Sequence, residues 1–270
     1  MTSAQSLVAQ RQIEIYLQGS YRNATNTFGE SDIDVVVELR SAFTRDVSSL
    51  TADQIRFQIE AHPGVVIYDW PEFRADVLRT LQDYYGAGRV RNGDKCIKVN
   101  FGAGRIAADV VPAVTHQKYS YFYNLALQGK TDGISFQNRA GSVIVNFPKQ
   151  HIENGQAKNV ATRTGERYKP TIRVFKNLRN RLVANNAIEA STAPSYSIEC
   201  LLYNAEDYCF APTFQTTFTN IMASFTRKPA QDFVCQNGIL PLFGNSPAQW
   251  NSEDAVRFLT AAQRLWDNWR

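Results

Sequence analysis

Apolar and polar positions alternate in short runs through the first half of the chain and recur at helical spacing through the second. Ile13 to Leu17 reads as a strand and Gln18 to Phe28 as the loop that follows; Asp32 to Leu39, rich in β-branched residues, predicts a second strand. Thr51 to Ala61 and Glu72 to Tyr85 have helical periodicity, with Phe73, Val77, Leu78 and Leu81 on one face. Cys96 to Phe101 and Arg105 to Val111 predict two strands joined by the turn Gly102-Ala103-Gly104, and Ser142 to Phe147 a further strand that Pro148 ends. After about residue 150 the pattern turns helical. Tyr168 to Ala184, with Pro170 in its first turn, carries the stripe Ile172, Phe175, Leu178, Leu182 and Val183. Pro194 to Tyr208, Phe214 to Phe225 and Ser252 to Trp269 predict three more helices, the last capped by Ser252-Glu253-Asp254. The fold class this predicts is α+β: a mixed-sheet core over residues 1–150 and a helical lobe over 151–270, with ligands in the cleft between them.

Composition narrows the field. The 270 residues, 44% hydrophobic and 20% charged, are those of an ordinary globular protein with enough chain for a substantial core. Membrane insertion is not expected, since no apolar run approaches the roughly 18 residues a span requires. Met1 to Arg11 lacks the basic start and apolar stretch of a signal peptide, so a cytoplasmic location is expected. The four cysteines (Cys96, Cys200, Cys209, Cys235) and three histidines (His62, His116, His151) show neither paired-cysteine nor joint-ligand spacing, which argues against a disulfide framework or a zinc site. The net charge of +4 suits a nucleoside triphosphate without demanding a polynucleotide. Basic residues concentrate in one segment: Arg163, Arg167, Lys169, Arg173, Lys176, Arg179 and Arg181.

The chemistry is carried by Gln18-Gly19-Ser20, eleven residues, and then Asp32-Ile33-Asp34. Side chains alternate along a strand, so Asp32 and Asp34 project together while Ile33 and Val35 turn to the core, and Ser31 helps begin the strand. Paired carboxylates on one face repel unless cations lie between them, and hard oxygen ligands suit magnesium or manganese. Asp109, a lone acid in the apolar run Ala107-Ala108-Asp109-Val110-Val111, is the third ligand that a site for two ions needs. Gly19 lets the chain approach a phosphate, and the Ser20 hydroxyl and nearby amides donate to it. Gly86-Ala87-Gly88 and Gly102-Ala103-Gly104 do not open a helix after a strand and read as turns, not as a dinucleotide fingerprint.

These residues resemble the polymerase β-type nucleotidyltransferase superfamily, and more narrowly the cGAS/DncV-like nucleotidyltransferases (CD-NTases) of bacterial antiphage (CBASS) signalling. Tyr16 to Asn23, Ser31 to Val37, Tyr168 to Asn177 and Pro194 to Asn204 read like that family's clade E branch, as do Phe233 to Gly238 and the closing helix. The family usually has a long helix before the first strand, where this chain has fifteen residues ahead of Tyr16. The resemblance implies a cyclic oligonucleotide synthase that uses two magnesium or manganese ions and acts on nucleoside triphosphates, with no long nucleic acid required. Its diffusible product would reach a downstream effector. Matched by position, Lys176 and Ser195 would meet the donor's phosphates, and Tyr196 would stack on its base. Asn146 falls where this branch places its base-reading residue, which points to UTP, with ATP, and to a 3′,3′-linked cyclic UMP–AMP or di-UMP. An amide can meet either uracil or adenine, so the physical reading alone leaves the base open. Weighed against this are transfer to an RNA or protein acceptor and a non-catalytic nucleotide sensor. The first needs a larger basic face, and the second should lose one of the three carboxylates.

Overall fold

The computed structural model describes residues 11–27, 32–64 and 69–268; Ser31, Phe28 and Trp269 lie outside the described residues. The chain divides into two units, Met1–Leu17 with Asp32–Phe147 and Gln18–Ser31 with Pro148–Arg270. Residues 18–27, which the sequence pattern groups with the sheet, fall with the helices, where polar side chains find partners: Asn23 and Thr25 both bond to Glu199.

In the first unit, β1 (Ile13–Gln18), β2 (Ile33–Asp46), β3 (Val90–Asn92), β4 (Ile97–Val99), β5 (Ala108–Phe122), β6 (Gln128–Gln137) and β7 (Val143–Asn146) form one mixed sheet. Its order is β1-β2-β5-β4-β3, with β6 paired to β5 and β7 to β6. β2 runs parallel to β5, and the β3–β4, β4–β5, β5–β6 and β6–β7 pairs are antiparallel. Both central strands outrun their apolar stretches. β2 continues past Leu39 through a register shift between Leu39 and Phe43, because β5 still offers a ladder on its flank. The polar strand β6 has little apolar alternation to announce it, and is held by eight residue pairs with β5.

The two faces of this sheet are filled differently. Val37 and Leu39 of β2, Ile97 and Val99 of β4, and Val110 and Val114 of β5 pack on Phe73, Val77 and Leu81. Those three belong to α3 (Trp70–Tyr85), whose start is fixed by a reciprocal cap between Asp69 and Glu72. Leu78 packs partly buried at the edge of that cluster. α2 (Ala52–Ala61) begins the same way, with Thr51 and Gln54. The other face carries Val36, Val111, Ala113, Ile134, Phe136 and Ile144.

The second unit contains α1 (Gly19–Asn23), α4 (Pro148–Lys158), α5 (Ala161–Thr164), α6 (Tyr168–Ala184), α7 (Ser195–Tyr203), α8 (Phe214–Phe225) and α9 (Ser252–Asp267). The stripe of α6 is buried as its period predicts: Ile172, Phe175, Leu178 and Leu182 pack with Ile198, Leu201, Phe218, Ile221 and Phe258. Fully burying one such side chain contributes about 1.5–3 kcal/mol. Three local expectations change. The loop after β1 contains the short helix α1. α7 ends at Tyr203, because the Asn204 side chain turns to the backbone of Val234, donating to its carbonyl at 2.8 Å and accepting from its N–H at 2.9 Å. α9 is capped by Asn251, one residue earlier than Ser252, whose carboxamide accepts from the Glu253 and Asp254 amides. No helix among the described residues is long and apolar enough to cross a membrane.

Candidate active site

Parallel pairing of β2 with β5 sets Asp34 directly beside Asp109, between the pairs Ile33–Ala108 and Val35–Val110. Neighbours in register point to the same side, so both carboxylates stand on the sheet face that carries Val36 and Val111. Val35, one residue on, packs into the opposite cluster. Asp32, exposed, lies just ahead of β2, where the Ile33 amide bonds to the Ala107 carbonyl at 2.9 Å.

β4 and the residue just ahead of it add two side chains that sequence reasoning missed. Lys98 pairs in register with Asp109 and brings Nζ to 3.5 Å from Asp109 Oδ2. The Asp109 charge, with a smaller contribution from Asp32, holds the Lys98 ammonium above its ordinary range against the pull of burial. Burial, then the charges of Asp109 and Asp34, pushes the Cys96 thiol up to about 12, so it stays protonated and is no nucleophile. Through these two neighbours, all three acids act on one patch of β4.

The three carboxylates do not close on a common point as they stand. Among the described residues, no three His, Cys, Asp or Glu side chains converge tightly enough to hold an ion. Asp109 instead leans on the Lys98 ammonium, a monovalent cation in the same neighbourhood. The donor set still fits divalent ions: it consists of hard carboxylate oxygens, and two of the acids are strand neighbours on one face.

The nucleotide-binding candidates lie in the second unit. Gly19 has φ +71°, in the left-handed region that a glycine adopts at no steric cost, and so opens α1 with Ser20 in its first turn. Gln18 Oε1, just ahead, is buried with no hydrogen-bond partner among the described residues. After α1 the chain turns at Ala24, φ +56°, whose carbonyl accepts from Arg173 Nη1 at 2.6 Å.

Lys176, expected at the donor's phosphates, is 1% exposed, with Nζ 2.6 Å from Glu199 Oε1 and 3.4 Å from Thr25 Oγ1. A buried carboxylate on α7 requires a counter-ion, and Lys176 supplies it. Two other cations of α6, with Arg22 of α1, form a like-charged group. Burial, then Arg22 and Arg173, pulls the Lys169 ammonium below its ordinary range, with Glu199 opposing. Ser195 accepts from Arg179 Nη2 at 3.1 Å at the start of α7. The next residue, Tyr196, stacks on His151 with ring centroids 5.1 Å apart and planes 22° from parallel. Asn146 closes β7 in the first unit, its Oδ1 accepting from the Phe147 amide at 2.8 Å, a bond that orients the carboxamide.

An acid pair leading one strand, a third acid beside it on the next, and a glycine–serine turn ahead of both define a nucleotidyltransferase. The chain matches the model of the nucleotidyltransferase domain over residues 3–85 and that of the cGAS/DncV-like nucleotidyltransferase C-terminal helical domain over residues 153–267. It belongs to the cGAS/DncV-like nucleotidyltransferase family. A cyclic UMP-AMP synthase of Rhodothermus marinus is 44% identical over 95% of this chain and 85% of its own. The solved structure of the R. marinus CdnE c-UMP-AMP synthase with Apcpp and Upnpp superposes with a TM-score of 0.83 at 43% identity, covering 96% of this chain and 85% of that one. A cyclic nucleotide synthase, CdnE01, of Staphylococcus haemolyticus is 37% identical over 100% of this chain and 90% of its own.

Proposed function

We propose that this protein joins UTP and ATP into a 3′,3′-linked cyclic UMP–AMP, releasing two pyrophosphates, and that the product is a messenger read by a separate effector. In each half-reaction a ribose 3′-hydroxyl attacks the α-phosphorus of a triphosphate. The P–O bond to the leaving pyrophosphate breaks, and the hydroxyl proton passes to solvent. Asp32, Asp34 and Asp109 would hold two magnesium or manganese ions. Bound ions supply charge neutralisation for the triphosphate and a lowered pKa for the attacking hydroxyl. The Gly19 turn brings backbone amides to the phosphates, and the Ser20 and Ser195 hydroxyls donate to them. Arg22, Lys169 and Arg173 repel one another and gain most from an anion among them. Tyr196, stacked on His151, would serve a base as a sequence-tolerant platform. Asn146 reads the uracil edge.

The single observation behind this reading is the register pair Asp34–Asp109 on one sheet face. The activities of the relatives support the product. Incubating the protein with single, paired and all four triphosphates and either ion, followed by mass spectrometry, tests it. Cyclic UMP–AMP is expected from the UTP–ATP pair with no RNA or protein acceptor present. Product from GTP alone overturns the uracil assignment, and transfer only in the presence of an acceptor overturns cyclisation.

A further inference from the structure

Glu199 carries four hydrogen bonds and has no part in the reaction just described. Its side chain is 4% exposed. Oε1 accepts from Thr25 Oγ1 and Lys176 Nζ, each at 2.6 Å, and Oε2 from Asn23 Nδ2 and His151 Nε2, each at 3.0 Å. Four donors on two oxygens saturate a carboxylate. Burying an ion pair is no efficient route to stability, because desolvation cancels most of the attraction and apolar packing of equal volume serves as well. The partners suggest another reason for it.

On the Oε1 side, Thr25 lies just past the Ala24 turn that ends α1, and its amide donates to the Ser20 carbonyl at 2.9 Å, so the carboxylate fixes the turn that carries Gly19 and Ser20. On the Oε2 side stands His151, the ring stacked on Tyr196. The other nitrogen of His151, Nδ1, is buried and finds no hydrogen-bond partner among the described residues. The imidazole is therefore oriented by one hydrogen bond, to Glu199, and by its stack. Glu199 lies on α7 itself, three residues after Tyr196 and four after Ser195.

We propose that Glu199 is a positioning residue that sets the two ends of the nucleotide subsite together: the phosphate end through Thr25 and the turn at Gly19, and the base end through His151 and Tyr196. The proposal rests on the nucleotide-binding role given above to Gly19, Ser20 and Tyr196. It makes the two ends separable by mutation everywhere except at Glu199.

The test measures binding of UTP, ATP and inorganic triphosphate by calorimetry, with steady-state KM and kcat, on the full chain and three variants. His151→Ala is expected to weaken both nucleotides about tenfold, the scale of one lost base–aromatic contact, while inorganic triphosphate stays within about twofold. Thr25→Val is expected to weaken all three ligands by a similar factor. Glu199→Gln, in which an amide donor replaces one acceptor oxygen, is expected to weaken all three about tenfold and to raise KM more than it lowers kcat. A folded Glu199→Gln protein that binds all three like the wild type overturns the proposal. So does a His151→Ala variant that loses inorganic triphosphate as much as nucleotide, since that marks a merely structural network. Should Glu199→Gln fail to fold, Glu199→Asp, which keeps the charge and shortens its reach, takes its place: weakening of all three ligands is expected, and unchanged binding of all three overturns the proposal. Wild-type protein that binds none of the three ligands removes the nucleotide subsite itself, an outcome distinct from a subsite that binds but ignores Glu199.

Discussion

Two groups of acids in this chain have opposite surroundings. Asp109, with Asp34 beside it, meets a half-exposed lysine at 3.5 Å, and Asp32 is exposed. Glu199 is buried and carries four donors at 2.6–3.0 Å. The first arrangement stands partly exposed to solution, and the second is enclosed by the protein. The lesson lies in exposure and enclosure together: an acid open to solution can meet a ligand, and one ringed by four donors is committed to the fold.

Replacing both Asp32 and Asp34 by alanine is expected to lower turnover by about 10³-fold or more, the scale of several kcal/mol of lost charge stabilisation. The melting temperature without metal should hold or rise, because repulsion is relieved. Appreciable turnover in that double variant, or marked destabilisation, would erase the contrast.

Glu199→Ala probes the other side. It leaves Lys176 buried without its counter-ion and should cost about 3–5 kcal/mol in urea unfolding. Pairing Glu199→Leu with Lys176→Met should recover much of that loss; failure to recover any would mean that the ion pair is not the source of the cost.

Acid titration sharpens the same point. Bonds from His151, then the Lys176 charge, overcome burial and hold Glu199 well below its ordinary value of 4.5. Because the folded value is depressed, this stabilisation is complete above the unfolded value and is lost as pH falls from there toward the folded one. Wild-type stability should therefore drop below about pH 4.5 more steeply than that of Glu199→Gln. Parallel acid limbs in chemical denaturation would assign the loss to other carboxylates, with Asp46, held at about 2 by its bonds from Lys118 and Ser48 against burial, the first to examine.

The smallest effect belongs to Lys98→Ala. Removing a half-exposed ammonium from Asp109 is expected to tighten manganese binding about twofold to fivefold, since such ion pairs are worth at most about 1 kcal/mol. Weaker binding would show that Lys98 supports the acids instead of competing for them.

The sequence by itself determined the acids and the turn. Asp34 and Asp109 interrupt apolar strands in ways that local alternation exposes, Asp32 stands just ahead of the first, and Gly19 precedes them at a position that needs a glycine. It also determined the stripe of α6 and the face of α3, because a buried helix face must recur with the helical period. Only the tertiary structure decided the rest. The polar strand β6 and the far half of β5 hold through pairing, which the residues of one strand do not encode. The burial of Lys176 depends on Glu199, 23 residues later, and on Thr25, 151 residues earlier. Lys98 enters the site because antiparallel register sets it opposite Asp109. Local patterns report which face of an element is apolar. Which charge meets which is decided by partners far away along the chain, where periodicity carries no information.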